Sequence, residues 1–300
     1  CRWEKSKLSV INGRHKQEET MTKKRLFITL LIAIYSTLLG SEVTKYIRYV
    51  YQGQESYGIL EGETVRELDG DIFSAPTLSG KTLQLSEVQL LAPCKPTKVI
   101  AVGLNYRSHI GNRPIPEYPG LFAKYPSSII GHEESIIMTS DATDLHYEGE
   151  LVIVIGKEVK NISVSEAHNY IFGVTAGNDV SERKWQRDDL QWLRAKASDT
   201  FGPIGPVITT GLNYNDLLLQ TRLNGELQQS ERTKDLVYDV DTIVSYISRY
   251  LTLFPGDIIF TGTPGTTKAM KPNDIVEIEL EGVGVLRNKV VAAKDKKGIY

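Results

Sequence analysis

Residues 147–156 read YEGELVIVIG, and this stretch decides how the rest of the chain is interpreted. From Leu151 onward both alternating sets of positions are apolar, which predicts a strand that is buried on both faces. Glu148 and Glu150 stand two residues apart where this strand begins. Because side chains alternate along a strand, we expect both carboxylates on one face.

Two like charges on one face repel each other unless something offsets them. A hard divalent cation would do so, because Mg²⁺ and Ca²⁺ prefer oxygen ligands. Asp179, just past the apolar stretch 171–176, offers a third carboxylate. Two exposed acids at a solvated strand end would explain the same pair, and the spacing alone does not decide between these interpretations.

Working outward, short apolar runs predict a strand-rich chain without regular alternation of strands and helices. The predicted helices are residues 161–170, with Ser163 and Glu166 as a capping box, 179–195 and 239–251. The predicted strands are residues 46–50, 57–60, 98–104, 151–156 and 257–261, with a hairpin of 275–280 and 285–291.

Charge and cysteine content exclude several classes of protein. The 300 residues carry a formal charge of −2, and residues 26–300 hold 27 Lys+Arg against 34 Asp+Glu, which argues against nucleic-acid binding. The two cysteines, Cys1 and Cys94, are too few for a disulfide framework or a thiolate zinc site. We interpret Cys94 as a small buried hydrophobic residue.

The N-terminus differs from the remainder of the chain. Residues 1–20 show no apolar periodicity and are interpreted as non-native or disordered. Residues 21–42 begin at Met21 and combine Lys23, Lys24 and Arg25 with the uncharged run 26–40, typical of a secretory signal or a membrane anchor. Export or membrane attachment through 26–40 is slightly favoured over a buried helix of a cytoplasmic protein, because the run is short for a membrane span.

His109 follows the predicted strand 98–104 in a polar loop. A histidine in this position is a candidate general base near neutral pH, and equally an ordinary exposed loop residue. The sequence has neither a Walker phosphate loop nor a G-x-S-x-G nucleophile elbow, which disfavours those classes of enzyme.

Six ordered motifs resemble those of the fumarylacetoacetate hydrolase superfamily, in its small bacterial branch of acylpyruvases and 2-hydroxyhepta-2,4-diene-1,7-dioate isomerases. They cover about residues 97–293. In chain order the motifs are VGLNYRSH at 102–109, FAKYPSS at 122–128, HYEGEL at 146–151, GNDVSER at 177–183, RAK at 194–196 with DTFGP at 199–203, and PGD at 255–257 with TGTPG at 261–265.

The resemblance implies an α+β, β-rich fold, a mixed β-roll with a small N-terminal β-module. It places a small domain at 43–92 and the catalytic domain at 93–300. It also implies that the three carboxylates bind Mg²⁺, with Mn²⁺ or Ca²⁺ as alternatives, and that the chain forms a homodimer. The implied metal ligands are Glu148, Glu150 and Asp179.

The implied activity is that of a divalent-metal-dependent enzyme of 2-oxo acids, which hydrolyses the C–C bond of acylpyruvate-type substrates through a metal-stabilised enolate. The alternatives are isomerisation of hydroxymuconate-type dienoates, decarboxylation of an oxo acid, or a non-catalytic metal- or ligand-binding protein of the same fold. The implied catalytic residues are His109 and Lys196, and the implied substrate-binding residues are Arg183, Gln186, Thr263 and Lys124.

Two positions depart from the family pattern. Related hydrolases and decarboxylases often carry a glutamate three residues after the loop histidine, where this chain has Asn112. Water activation by His109 is therefore in question, and isomerase chemistry gains weight because it needs only proton transfer. Thr266 and Thr267 stand where the family usually has glycine, so we expect a reshaped loop beside the site.

Overall fold

The computed structural model describes residues 42–294, which fold mainly as β-strands. The α-helices of this part are α1 Arg107–Ile110, α2 Arg183–Asp188, α3 Leu193–Ala197 and α4 Val240–Tyr250, with 3₁₀ turns at Leu85–Glu87, Pro126–Ser128, Val164–Asn169 and Thr233–Asp235. Its strands are β1 Thr44–Tyr51, β2 Gln54–Glu61, β3 Thr64–Asp69, β4 Thr77–Gln84, β5 Gln89–Leu90, β6 Val99–Gly103, β7 Gly120–Lys124, β8 Ile129–Ile130, β9 Ser135–Met138, β10 Leu145–His146, β11 Gly149–Ile155, β12 Ile171–Asn178, β13 Ser181–Glu182, β14 Gly202–Thr210, β15 Leu218–Leu223, β16 Glu226–Arg232, β17 Ile258–Phe260, β18 Ile275–Leu280 and β19 Gly284–Ala292.

Three sheets organise these strands. The largest runs in the order β4-β3-β2-β1-β14-β12-β11-β17-β6-β7, with β5 paired to β1 and β8 to β14. A second sheet has the order β16-β15-β18-β19-β9, and β10 pairs with β13. Because β17 pairs parallel with β6 while β11 and β12 pair antiparallel, the large sheet is mixed, as the predicted fold class requires.

Strand β11 lies inside the large sheet, and both of its faces are covered. Leu151, Ile153 and Ile155 pack in one hydrophobic cluster, whereas Val152 and Val154 pack in another. Every residue of β11 is buried. The unbroken apolar run thus reflects burial on two sides, since a strand with one wet face would alternate.

The N-terminal strands β1–β4 form an antiparallel meander that extends the large sheet. Tyr46 of β1 lies opposite Ile208 of β14, so backbone hydrogen bonds continue from the meander into the rest of the sheet. Residues 43–294 belong to one compact unit. The strands of the predicted N-terminal segment 43–92 therefore share a sheet with strands that follow later in the chain.

The predicted strands and the helix 239–251 are present with small boundary shifts, whereas the predicted helix 179–195 is replaced by β13 and two short helices, α2 and α3. The capping box of Ser163 and Glu166 opens a 3₁₀ turn, and Asp239 caps α4 through the Thr242 N–H. Cys94 is buried and free. None of the helices in the described chain combines the length and apolar character needed to cross a membrane. The predictions for residues 1–20 and 26–40 lie outside the described residues.

Candidate active site

Three acidic side chains meet at one end of β11 and β12. In the register of these strands Gly149 lies opposite Asn178, which brings Glu148 beside Asp179. The Asp179 N–H donates to the Glu148 carbonyl at 2.9 Å. Glu148, Glu150 and Asp179 are all buried, and one oxygen of each lies within 4.8 Å of the others. Sheet register therefore assembles these three residues into an acidic triad.

The two glutamates of the triad differ in how their charge is offset. Burial alone would raise the pKa of Glu148, but Lys196 and other neighbouring cations hold that pKa well below its usual range. The pKa of Glu150 is raised well above its usual range, because the group is buried and Asp179 and Glu148 lie beside it. Within the described residues, the hydrogen-bond partner of its carboxyl is the Gly262 N–H, at 2.7 Å.

Two buried ammonium groups lie against the triad. Lys196, on α3, donates to Glu148 Oε2 at 2.5 Å and to Asp179 Oδ2 at 2.6 Å. Lys124, at the end of β7, donates to Asp179 Oδ1 at 2.6 Å and to the Lys196 carbonyl. Burial lowers the pKa of Lys124; burial also acts to lower the pKa of Lys196, but Asp179 and Glu148 raise it overall. Both lysines thus offset charge on Glu148 and Asp179, and Glu150 has neither as a hydrogen-bond partner.

The triad and Lys196 form the inner end of a cavity of about 530 Å³. This volume lies in the range usual for small-molecule sites. The rings of Phe122 and Trp192 meet edge to face, with centroids 5.4 Å apart. Arg113 and Arg187 lie at the exposed rim. The apolar wall consists of Val102, Leu104, Phe122 and Trp192.

Arg183 reaches the triad from the start of α2. Its guanidinium donates to Glu148, to Gln186 Oε1 at 2.8 Å and to Thr267 Oγ1 at 3.1 Å. Thr267 Oγ1 also lies 2.8 Å from His146 Nδ1. Burial lowers the pKa of His146, which favours the neutral imidazole. The guanidinium is therefore held at three points along one side of the cavity.

His109 lies on α1 at the cavity mouth, with Nδ1 2.7 Å from the Gly265 carbonyl. Because a carbonyl only accepts, Nδ1 carries the hydrogen, and the neutral ring keeps its lone pair on Nε2. Nε2 lies 3.9 Å from Glu148 Oε1. Ser108 accepts the Gly265 N–H at 2.9 Å and donates to Glu231 Oε2 at 2.5 Å. Both α1 side chains therefore bind one residue of the loop that follows β17.

Thr263 of the same loop points into the protein. Its hydroxyl donates to the Gly149 carbonyl and accepts from Gln229 Nε2, both at 2.9 Å. Gln229 also donates to the Pro264 carbonyl and accepts the Gly149 N–H at 3.3 Å. The Thr263 hydroxyl hydrogen is thus already bonded, so donation to a substrate carboxylate requires that bond to break.

The cavity brings together all but one of the predicted site residues. Lys124 lies behind Asp179 with a side chain that is 0% exposed, and it does not line the cavity. The expectation that Lys124 contacts substrate stays a prediction, and the contact that the structure gives its ammonium group is with Asp179. The predicted residues that line the cavity are His109, Glu148, Glu150, Asp179, Arg183, Gln186, Lys196 and Thr263.

Several residues of the site escaped the sequence analysis. Gln229 and Glu231 stand two apart on β16, a polar strand that matches none of the six motifs, so no local signal identified them. His146 had no assigned role, although it lies next to the acidic pair. Thr267 was identified only as a departure from the family pattern. Gln229 and His146 bind the loop 263–267, to which Thr267 belongs, and Glu231 accepts from Ser108 of α1.

The donor set fits a divalent cation. Three carboxylate oxygens face one point, and oxygen ligands on opposite sides of such an ion lie up to about 5 Å apart. Charging a buried carboxyl is unfavourable unless cations offset it, and for Glu150 burial and the neighbouring carboxylates outweigh Lys196, so that its pKa is raised. A cation bound to the triad would supply the missing charge.

The chain matches two family profiles. The profile described as fumarylacetoacetate (FAA) hydrolase C-terminal matches residues 98–291, and the profile described as Rv2993c-like, N-terminal matches residues 44–93. Among curated proteins, the chain is 45% identical over 231 residues to the uncharacterized protein MJ1656 of Methanocaldococcus jannaschii, covering 76% of this chain and 95% of that protein. It is 41% identical over 224 residues to oxaloacetate tautomerase FAHD2B, mitochondrial, of Bos taurus, covering 70% and 71%.

Solved structures also match this chain over most of its length. The 2-hydroxyhepta-2,4-diene-1,7-dioate isomerase of Mycobacterium marinum matches with a TM-score of 0.79 and 39% identity, covering 84% of this chain and 100% of that one. The maleylpyruvate hydrolase of Sphingobium sp. SYK-6, in complex with manganese(II) and pyruvate, matches with a TM-score of 0.70 and 25% identity, covering 83% and 100%.

Proposed function

The chain belongs to the fumarylacetoacetate hydrolase family of hydrolases and isomerases, and on that premise we propose that it is a metal-dependent isomerase or tautomerase of 2-oxo acids. The observation that supports this proposal most directly is the orientation of His109. Its Nδ1–H donates to a backbone carbonyl, so Nε2 of the neutral ring carries no hydrogen. Two relatives named above, the tautomerase and the dioate isomerase, support the same reaction class.

The proposed cofactor is Mg²⁺, with Mn²⁺ or Ca²⁺ as alternatives. Glu148, Glu150 and Asp179 would hold the ion. When bound, it supplies a Lewis acid for the oxygens of a 2-oxo acid. The manganese complex of maleylpyruvate hydrolase supports a divalent cation in this fold.

The cationic side chains provide the charge that such a reaction needs. Removing a proton from C3 of a 2-oxo acid puts negative charge on the C2 oxygen, and a buried ammonium stabilises that charge in a site of low dielectric constant. Lys196 lies against Glu148 and Asp179 at the inner end of the cavity. The Nε–H of Arg183 and one Nη1–H have no hydrogen bond to the described residues, so the guanidinium keeps a donor for the substrate carboxylate.

His109 is the proposed proton-transfer group. With Nδ1–H donated to Gly265, Nε2 takes a proton from C3 and returns it to another atom. A neutral carbonyl stabilises the imidazolium less than a carboxylate would, and position 112 is Asn. This arrangement suits reversible proton transfer better than the activation of water.

Acylpyruvate hydrolysis is the second candidate. It is favoured by the likeness to a maleylpyruvate hydrolase. It is also favoured by Glu231, which accepts a hydrogen bond from Ser108, the residue that precedes His109. Hydrolysis requires a base that makes a hydroxide-like water beside the second carbonyl. The two candidates share the cavity and differ in the atom that gives up the proton, which is C3 in tautomerisation and the water oxygen in hydrolysis.

The test uses the full protein with Mg²⁺ or Mn²⁺ and a panel of oxaloacetate and acylpyruvates. Tautomerisation is followed by enol absorbance, C3 exchange by deuterium incorporation, and cleavage or decarboxylation by product analysis. We expect metal-dependent tautomerisation and exchange faster than cleavage. Faster cleavage would select the hydrolase. Undiminished activity after exhaustive chelation would refute both candidates.

We also propose, from the family resemblance alone, that the protein is a homodimer. Sedimentation velocity at micromolar concentration checks this expectation, and a purely monomeric boundary would contradict it.

A further inference from the structure

Thr267 connects the proposed substrate-binding arginine to a histidine outside the cavity lining. Its Oγ1 lies 3.1 Å from Arg183 Nη2 and 2.8 Å from His146 Nδ1. His146 Nε2 lies 2.9 Å from Asp144 Oδ1. Thr267 lines the cavity. The four side chains form a continuous hydrogen-bonded row that ends at the guanidinium.

The chemistry of the groups fixes the direction of each bond. Asp144 only accepts, so His146 Nε2 carries the hydrogen and the Nδ1 of the neutral ring accepts. Thr267 therefore donates its hydroxyl hydrogen to His146 and offers its lone pairs to Arg183, which only donates. The hydroxyl thus donates to His146 and accepts from Arg183, and no other orientation of it satisfies both partners.

Backbone pairing brings Thr267 to this position. His146 forms an antiparallel bridge with Ala269, and the Met270 N–H donates to the Leu145 carbonyl at 2.6 Å. Continuing this register by two residues places Thr267 opposite Glu148. Because Arg183 also donates to Glu148, its guanidinium lies between a triad carboxylate and the Thr267 hydroxyl.

We propose that Thr267, oriented by His146, is a positioning residue that holds the Arg183 guanidinium so that a remaining N–H donor can bind the carboxylate of a 2-oxo acid. The inference rests on the proposed function, because it takes Arg183 as the carboxylate-binding group. Without the hydroxyl, Nη2 would keep only Glu148 as a partner, and the guanidinium could rotate towards that carboxylate. Substrate binding would then weaken while the triad stayed intact.

The experiment compares Thr267→Val, which keeps the shape and removes the hydroxyl, with Thr267→Ser, which keeps the hydroxyl. Oxalate, whose paired oxygens resemble those of a 2-oxo acid, is titrated into the Mn²⁺-loaded protein by calorimetry, and Mn²⁺ affinity is measured separately. We expect Thr267→Val to weaken oxalate binding and raise KM about tenfold. Its kcat and Mn²⁺ affinity should change by less than about twofold, because the lost contact binds ground and transition states alike. Thr267→Ser should restore oxalate binding.

His146→Ala tests the second link of the row. It should reproduce the weaker oxalate binding of Thr267→Val in smaller degree, about threefold, because the hydroxyl remains but loses its acceptor. Equal oxalate affinity in wild type and Thr267→Val, or a Ser variant as weak as Val, would overturn the inference alone. A wild type that neither binds oxalate nor converts any 2-oxo acid would overturn the proposed function and this inference with it.

Discussion

The cavity has two parts that are built differently. The inner wall consists of Glu148, Glu150, Asp179 and Lys196, and Lys124 lies behind Asp179. These side chains are almost fully buried, and both lysines form ion pairs with triad carboxylates: Lys124 is 0% and Lys196 3% exposed.

The outer rim consists of Ser108, His109 and the loop 263–267. His109 is 18% exposed, and the rim is held by hydrogen bonds that join distant segments of the chain. An interaction between charges in the protein interior is stronger than a hydrogen bond between neutral groups near the surface, because the interior has a lower dielectric constant. We therefore expect changes in the inner wall to abolish function and changes in the rim to tune it.

The largest effect is expected at the triad. Glu150→Gln removes one unit of charge from a hard-cation site, so divalent binding should be lost and turnover should fall by at least about a thousandfold. Mn²⁺ calorimetry and kcat/KM measure the two losses. Glu158→Gln, at an exposed glutamate beyond the far end of β11, is the matched control. Wild-type turnover in Glu150→Gln would contradict a catalytic metal at the triad.

His109→Ala should have the next largest effect. Loss of a general base typically lowers the rate about 10²–10⁴-fold, so deuterium exchange at C3 should fall by that factor with Mn²⁺ affinity unchanged. His168→Ala, at an exposed histidine, is the control. If exchange survived while cleavage of an acylpyruvate disappeared, His109 would instead be the base that activates water. That result would favour acylpyruvate hydrolysis over tautomerisation.

A smaller effect is expected at Ser108. Ser108→Ala removes two hydrogen bonds at the rim, one to Gly265 and one to Glu231, and should lower kcat about two- to tenfold. Ser108→Thr keeps the hydroxyl and should remain near wild type. A loss as large as that of Glu150→Gln would show that the rim is as sensitive as the inner wall.

The smallest effect is expected in the thermal stability of the metal-free protein, which should depend on pH. The pKa of Glu150 is raised on folding, so the folded state holds this proton more tightly than the unfolded chain does. The resulting stability is present at acidic pH and is lost as pH rises through the folded pKa of Glu150. Between neutral and mildly acidic pH, Tm should therefore increase by a few degrees, at about 2–4 °C per kcal/mol.

Two controls sharpen this measurement. Glu150→Gln should remove the dependence, and saturating Mn²⁺ should remove it as well, because the cation replaces the proton. A metal-free Tm that falls steadily over the same pH range would contradict the assignment of the raised pKa to Glu150.

Much of the fold and the site could be predicted from local sequence. The run after Glu150 predicted a doubly buried strand, and β11 packs in two hydrophobic clusters through its alternate residues. The helix 239–251 followed from apolar spacing, and α4 spans Val240–Tyr250. The family motifs identified eight residues that line one cavity. Each of these features leaves a trace within a few residues.

Other features leave no such trace. Gln229 and Glu231 bind the loop and α1 from β16, and nothing around them in the sequence marks that contact. Lys124 belongs to a motif, but only the packing of β7 shows that it faces Asp179 and not the cavity. The meander β1–β4 was expected as a separate module, and its pairing with β14 depends on a register that local sequence does not specify.

By itself, the sequence determined which chemical groups are present and predicted some of the strands, such as β11, because side-chain alternation, apolar runs and capping residues act over a few positions. The tertiary structure decided which groups meet: Asp179 beside Glu148, Gly265 on His109, and Thr267 between Arg183 and His146. Contacts between segments up to 156 residues apart depend on strand order and register. These are set by burial summed over the whole core, which no single stretch of sequence contains.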